Sequence, residues 1–162
     1  MAIRVIRTKE DPALREVALE VKKITPQIRK LLDELAETMY AADGVGLAAP
    51  QVGIAKRLIV IDVQDENGLL KLINPLIIER KGREKAAEGC LSFPGVAGEV
   101  ERDETVTVQA TDPDGNTLQI CASGLLARAF QHEIDHLDGI LFVDRVTCFI
   151  GDEDRKAGQE EA

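Results

Sequence analysis

Residues 104–139 read ETVTVQATDPDGNTLQICASGLLARAFQHEIDHLDG, and two periodicities meet inside them. Val106, Val108 and Ala110 alternate with polar residues, as do Leu118 and Ile120, the two-residue period of half-buried strands. Asp112-Pro113-Asp114-Gly115 lies between these runs and supplies turn chemistry, so a β-hairpin is expected. From Ser123, a potential N-cap, a helix is expected through about Leu137, with Gly139 just past its end. Leu125, Leu126, Ala129, Phe130 and Ile134 mark it as a buried helix.

Outward from this stretch, a second helix is predicted to begin at Thr25-Pro26, an N-cap followed by proline at the first helical position. Ile28, Leu31, Leu32, Leu35 and Met39 recur at helical spacing, and Asp43-Gly44 ends the run. RLIVIDV (57–63) and LLKLINPLII (69–78) read as strands, the latter interrupted by Pro75. The expected fold class is α+β, with antiparallel strands packed around a central helix that carries both histidines and a longer N-terminal helix. Residues 1–150 are expected to form a single catalytic domain. Residues 151–162, GDEDRKAGQEEA, are expected to be a short, acidic, frayed tail.

Composition narrows the classes. A length of 162 residues suits one domain, and 44% apolar with 30% charged residues is an ordinary globular balance. With four Phe, one Tyr and no Trp, the core must rest on Leu, Ile, Val and Ala. A formal charge of −9 argues against direct nucleic-acid affinity, which favours the opposite sign. No apolar run reaches bilayer length, so no membrane contact is expected. The N-terminus MAIRVIRTKEDPALRE lacks a secretion signal's apolar segment and is too acidic for a transit peptide. Three cysteines do not make a disulfide framework, and a reducing cytoplasm is the expected location.

QHEIDH holds the only two histidines of the chain, His132 and His136. Four apart on a helix, they can direct ring nitrogens at one metal ion. Glu133 beside them can reach a water without binding the ion, the pattern of a hydrolytic metal site. A third protein ligand is needed. In the extended motif HExxHxxGxxH the last histidine falls at a position occupied here by Phe142. The downstream glutamates, Glu153, Glu160 and Glu161, all lie in the polar tail. Of the cysteines, Cys121 in the hairpin strand and Cys148 among apolar residues read as inert core residues. Cys90 sits in AAEGCLSFPG, where Gly89 and Pro94-Gly95 allow close backbone approach to a ligand. A thiolate with two imidazoles leaves a fourth tetrahedral position open. Two other readings use the same helix: a zinc peptidase with a ligand other than Cys90, and a closed structural metal site. The second needs four protein ligands and no Glu133.

Three separated segments resemble the peptide deformylases: GVGLAAPQ (44–51), EGCLS (88–92) and QHEIDH (131–136), in the family's order and spacing. DPALRE near the start and INP at 73–75 look like its bacterial members, and the resemblance spans about residues 1–145. It implies removal of the formyl group from the formylmethionine N-termini of nascent polypeptides, with release of formate. It implies Cys90, His132 and His136 as metal ligands and Glu133 as general base. Gln51, the backbone N–H of Leu91 and the Gly46 backbone are implied to hold the formyl oxygen. Fe²⁺ is the ion the resemblance favours, while Zn²⁺, Ni²⁺ and Co²⁺ suit the same ligands. Val45, Leu125, Arg128 (through its alkyl stem) and Ala129 are expected to line a pocket for the methionine side chain. Gly44 is expected to serve the end of the first helix, Glu88 to orient its own loop, and Asp135 to face away from the histidines. Family members often continue into a longer basic C-terminal helix. The short acidic tail here argues against transient ribosome contact through it.

Overall fold

The computed structural model describes residues 2–150. After a 3₁₀ turn at Pro12–Arg15 come helix α1 (Pro26–Ala41), strand β1 (Gly46–Ala48) and a second 3₁₀ turn (Ala49–Val52). Strands β2 (Leu58–Ile61), β3 (Leu70–Lys81), β4 (Glu84–Cys90), β5 (Phe93–Arg102), β6 (Thr105–Thr111) and β7 (Thr117–Ser123) follow. Helix α2 (Gly124–Leu137), a third 3₁₀ turn (Phe142–Asp144) and strand β8 (Val146–Ile150) complete the described chain. The named strands pair antiparallel in two sheets, of order β1-β2-β3-β6-β7 and β4-β5-β8. The expected α+β class is the observed one.

The five-stranded sheet separates the two helices, and β2 explains how. Its residues Leu58, Ile59, Val60 and Ile61 are all fully buried, because both faces of the strand are covered. Leu58 and Val60 join Ile28, Leu31, Leu32, Leu35 and Met39 of α1. Ile59 and Ile61 join Leu126, Phe130, Ile134 and Leu137 of α2, with Val106 and Val108 of β6. Helix α1 starts where its sequence places it: Thr25 Oγ1 accepts from the Ile28 N–H at 3.3 Å. Pro75, which has no N–H for the ladder, coincides with a register shift between Ile73 and Leu76. Asn74 there adopts a left-handed φ of 53°. Its side chain bonds both backbone groups of Val21, at 2.8 and 2.9 Å, and anchors the strand's bend.

The sequence expectations miss β1, β4, β5 and β8. The β4–β5 hairpin is rich in Gly, Ala and charge, so it carries no apolar alternation. The composition has a packing cause: a Cβ on Gly98 of β5 would lie 2.7 Å from the Val146 side chain of β8. Two further expectations are corrected. Cys121 and Cys148 are exposed, not core. On β7 the half-buried or buried positions fall to Leu118, Ile120 and Ala122, so strand alternation turns Cys121 outward, while on β8 every residue from Thr147 to Ile150, Cys148 included, is exposed. Leu125, expected among the buried helix residues, is 55% exposed. The tail at 151–162, with Glu153, Glu160 and Glu161, lies outside the described residues.

Candidate metal centre and active site

Helix α2 is a core helix, with eleven of its fourteen residues buried. Burial of the polar ones must be compensated, and Gln131 illustrates how. Its amide bonds the backbone N–H and C=O of Asp103 at 2.9 Å each, fastening α2 to the β5–β6 turn. One residue on, His132 and His136 stand with ring centroids 5.1 Å apart. Cys90 ends β4 at an irregularity in its pairing with β5, which brings its Sγ to 3.5 Å from His136 Nε2. The sulfur and one ligating nitrogen from each histidine all lie within 4.8 Å of one another. Cys90 therefore joins the two histidines, while Cys121 and Cys148 lie on exposed strand positions. Phe142, where the extended peptidase motif has histidine, stacks on the His132 ring at a centroid distance of 6.0 Å and packs edge-on to Phe93.

These residues fit a divalent cation. A thiol and two imidazoles form a soft, N/S ligand set with one tetrahedral position to spare. Burial drives the His136 pKa well below its usual value, leaving the neutral imidazole that metals bind. Burial also disfavours charge on His132, but hydrogen bonding to Cys90 and Glu88 and the nearby Glu133 charge outweigh this, pulling it up to about 10.

Glu88 is more than a loop-orienting residue. Two apart on a strand, Glu88 and Cys90 project to the same side, toward α2. Glu88 Oε1 lies 3.1 Å from His132 Nδ1, which leaves Nε2 for a metal. The carboxylate is gripped by Arg102, at 2.5 and 2.9 Å, and by Arg128 at 2.6 Å. Burial opposes its ionisation, yet the hydrogen bonds from His132 and Arg102 hold its pKa down to about 2. Asp135 is drawn into the same network, bonding Arg102 at 3.0 Å and Arg145 at 2.6 Å. It acts there as an ion-pairing residue, joined through Arg102 to the carboxylate behind His132. Replacing Glu88 by Gln removes the acceptor charge behind His132. Metal affinity is expected to fall about 10–100-fold, read by competition with a chelator.

Glu133 is 5% exposed, and its Oε1 is buried without a hydrogen-bond partner. Burial pushes its pKa up to about 7, only partly offset by the positive charges of His132 and Arg102. Gly46 explains how β1 comes so near: a Cβ there would sit 2.6 Å from Glu133 Oε2. Gly46→Ala is accordingly expected to displace the carboxylate and lower turnover by about 10²-fold, with little change in melting temperature. Gly44 has two duties. Its N–H caps α1 by bonding Met39 O at 3.0 Å, and a Cβ there would lie 2.6 Å from Leu91 Cδ1. Gln51 lies in the 3₁₀ turn after β1, its Oε1 accepting from Ala48 N–H at 3.0 Å and its Nε2 3.7 Å from Cys90 Sγ.

A cavity of about 530 Å³ opens over this cluster. Gly46, Gln51, Cys90, Leu91, His132 and Glu133 line it, as do Val45, Leu125, Arg128 and Ala129, with Phe93 and Val96. The Arg128 guanidinium is occupied by Glu88, Val100 O and Glu84 O, so its charge is already satisfied.

The family model for polypeptide deformylase matches residues 3–149. The chain belongs to the polypeptide deformylase family. Among its relatives, the peptide deformylase of Carboxydothermus hydrogenoformans is 58% identical over 145 residues, spanning 90% of this chain and 94% of its own. The solved peptide deformylase from Thermotoga maritima has a TM-score of 0.87 at 44% identity, covering 91% of this chain and 99% of that one. That of Synechococcus elongatus in complex with actinonin has a TM-score of 0.85 at 50% identity, covering 88% and 80%.

In this deformylase chain, the residues that sequence reasoning passes over are Arg102 and Ser92. Arg102 is 3% exposed and bridges Glu88 to Asp135; Ser92 is fully buried against Gln51. The signal for Ser92 was its place in EGCLS. Arg102 had none, since it lies 14 residues from Glu88 on an unrecognised hairpin. No helix among the described residues of this family member is long and apolar enough to cross a membrane.

Proposed function

We propose that the chain removes the formyl group from N-terminal formylmethionine of newly made polypeptides, using one divalent ion held by Cys90, His132 and His136. The observation that carries this is the thiol–imidazole–imidazole cluster beside the buried, unpaired carboxylate of Glu133, in a member of the deformylase family. When bound, the ion acidifies water and polarises the formyl carbonyl. Glu133, with a pKa near neutrality, accepts the proton of the attacking water and returns it to the departing amine. One water is consumed, and formate and a free methionyl N-terminus are released. As charge develops on the formyl oxygen, the Gln51 amide and the Leu91 N–H donate to it. The close approach of β1 permitted by Gly46 lets the same backbone bound the site.

The methionine side chain packs between Val45, Leu125, Ala129 and the Arg128 stem, an apolar wall with no free charge. Fe²⁺ is the ion in the cell, and Zn²⁺, Ni²⁺ or Co²⁺ can replace it on these ligands. The cytoplasm, where formylated chains are made, is the place of action.

A peptide panel tests the reading. Formyl-Met-Ala-Ser is expected to give formate and Met-Ala-Ser, while acetyl-Met-Ala-Ser and internal peptide bonds stay intact. Internal cleavage, or equal action on the acetylated peptide, would favour a peptidase or a general amidase instead.

A further inference from the structure

The structure assigns to Ser92 the positioning of the Gln51 amide, an inference that rests on Gln51 acting as a donor to the formyl oxygen. The orientation of that amide is fixed by its partners. Backbone N–H can only donate, so the Gln51 atom 3.0 Å from Ala48 N is the oxygen. The NH₂ group then faces Ser92 Oγ at 3.0 Å and Cys90 Sγ at 3.7 Å. Its two hydrogens diverge and cannot serve one acceptor. Ser92 takes one at an ordinary distance, and the other points at the sulfur across a long contact. The second hydrogen is therefore the one offered to an oxygen at the reacting centre.

Ser92 is itself immobilised. It is fully buried and does not line the cavity, so it acts through Gln51 without meeting substrate. The same N-terminal stretch holds the backbone of both residues. Arg7 N–H donates to Gln51 O at 2.6 Å, and Lys9 N–H donates to Ser92 O at 2.9 Å. Donor and holder are thus tied by one side-chain bond in front and two backbone bonds behind. A donor fixed before reaction needs no reorganisation when charge develops, which is where such groups gain their catalytic effect. Without Ser92 only the oxygen anchor remains, and the amide can rock about its last torsion within the limits that anchor sets.

The test is a double-mutant cycle on the full, metal-loaded chain: wild type, S92A, Q51A and the double variant, each with kcat, KM and metal content. S92A is expected to lower kcat about tenfold, with KM changed less than about twofold and one ion per chain retained. S92T, which keeps the hydroxyl, is expected to stay within about threefold of wild type. On the Q51A background, S92A is expected to change kcat by less than about twofold, because its target is gone. A full tenfold loss on that background would overturn the assignment. An unchanged kcat in Q51A itself would instead remove the donor role of Gln51, and the role of Ser92 with it. Should S92A fail to fold, the Zn²⁺-loaded wild type still decides by NMR. The Gln51 side-chain N–H vectors are expected to be as ordered on the ps–ns timescale as the buried backbone around them, and large-amplitude motion of that amide would overturn the assignment.

Discussion

Glu133→Gln lowers kcat by about 10²–10⁴-fold while the protein keeps one ion per chain. The change replaces one oxygen with an NH₂ of the same size, so the cavity and the ligands around it are preserved. What disappears is the capacity to accept a proton. Burial raises the carboxyl's pKa to about 7, so a proton can be taken from water and given up again within one turnover. Glutamine can do neither. A structural role makes a different prediction. Glu133 Oε1 has no hydrogen-bond partner, so the substitution breaks no described bond at that atom, and stability is expected to be unchanged or higher. Thermal unfolding measured beside steady-state kinetics on formyl-Met-Ala-Ser separates the two. A loss of activity that tracks a loss of melting temperature would count against Glu133 as the proton carrier.

Cys90→Ala has the second large effect, and it acts on the metal. Removing the sulfur leaves two imidazoles, too few protein ligands for a tight site. The affinity lost is expected to exceed the roughly 10–100-fold typical of removing a partner behind a ligand. After dialysis, metal per chain is therefore expected to fall well below one, and formate release to fall with it. The fold should survive, because Cys90 is only partly buried at the end of β4 and belongs to neither main hydrophobic cluster. A Cys90→Ala protein that retains a full complement of metal and turns over normally would restore the peptidase reading, in which another residue completes the site.

The parts of the fold legible in the sequence are those whose burial follows one period. Helix α1 shows its face from Ile28 to Met39 and its start at Thr25, and the β6–β7 hairpin shows alternation and a turn. The β4–β5 hairpin does not, because its side chains answer to local crowding and to an ionic network. Gly98 yields space to Val146, and Glu88 and Arg102 are buried in pairs that hydropathy scores as exposed. The site divides along the same line. Cys90, His132, His136 and Glu133 were readable because ligand chemistry restricts the residue types. Glu88 could be recognised as the partner of His132 only once its segment was known to be a strand, which puts it on the side of Cys90. Cys121 failed for the converse reason: apolar neighbours on a strand occupy the face it does not. Leu125 belongs to the helical pattern of α2, yet it is exposed and lines the cavity, where an apolar residue is left for a ligand to cover.

The most direct test of the central claim is an anaerobic titration of metal-free protein with Fe²⁺, following formate released from formyl-Met-Ala-Ser. Release is expected to rise in proportion to added ion and to break sharply at one ion per chain. Formate release that needs no ion, or no release with one ion demonstrably bound by Cys90, His132 and His136, would contradict the account.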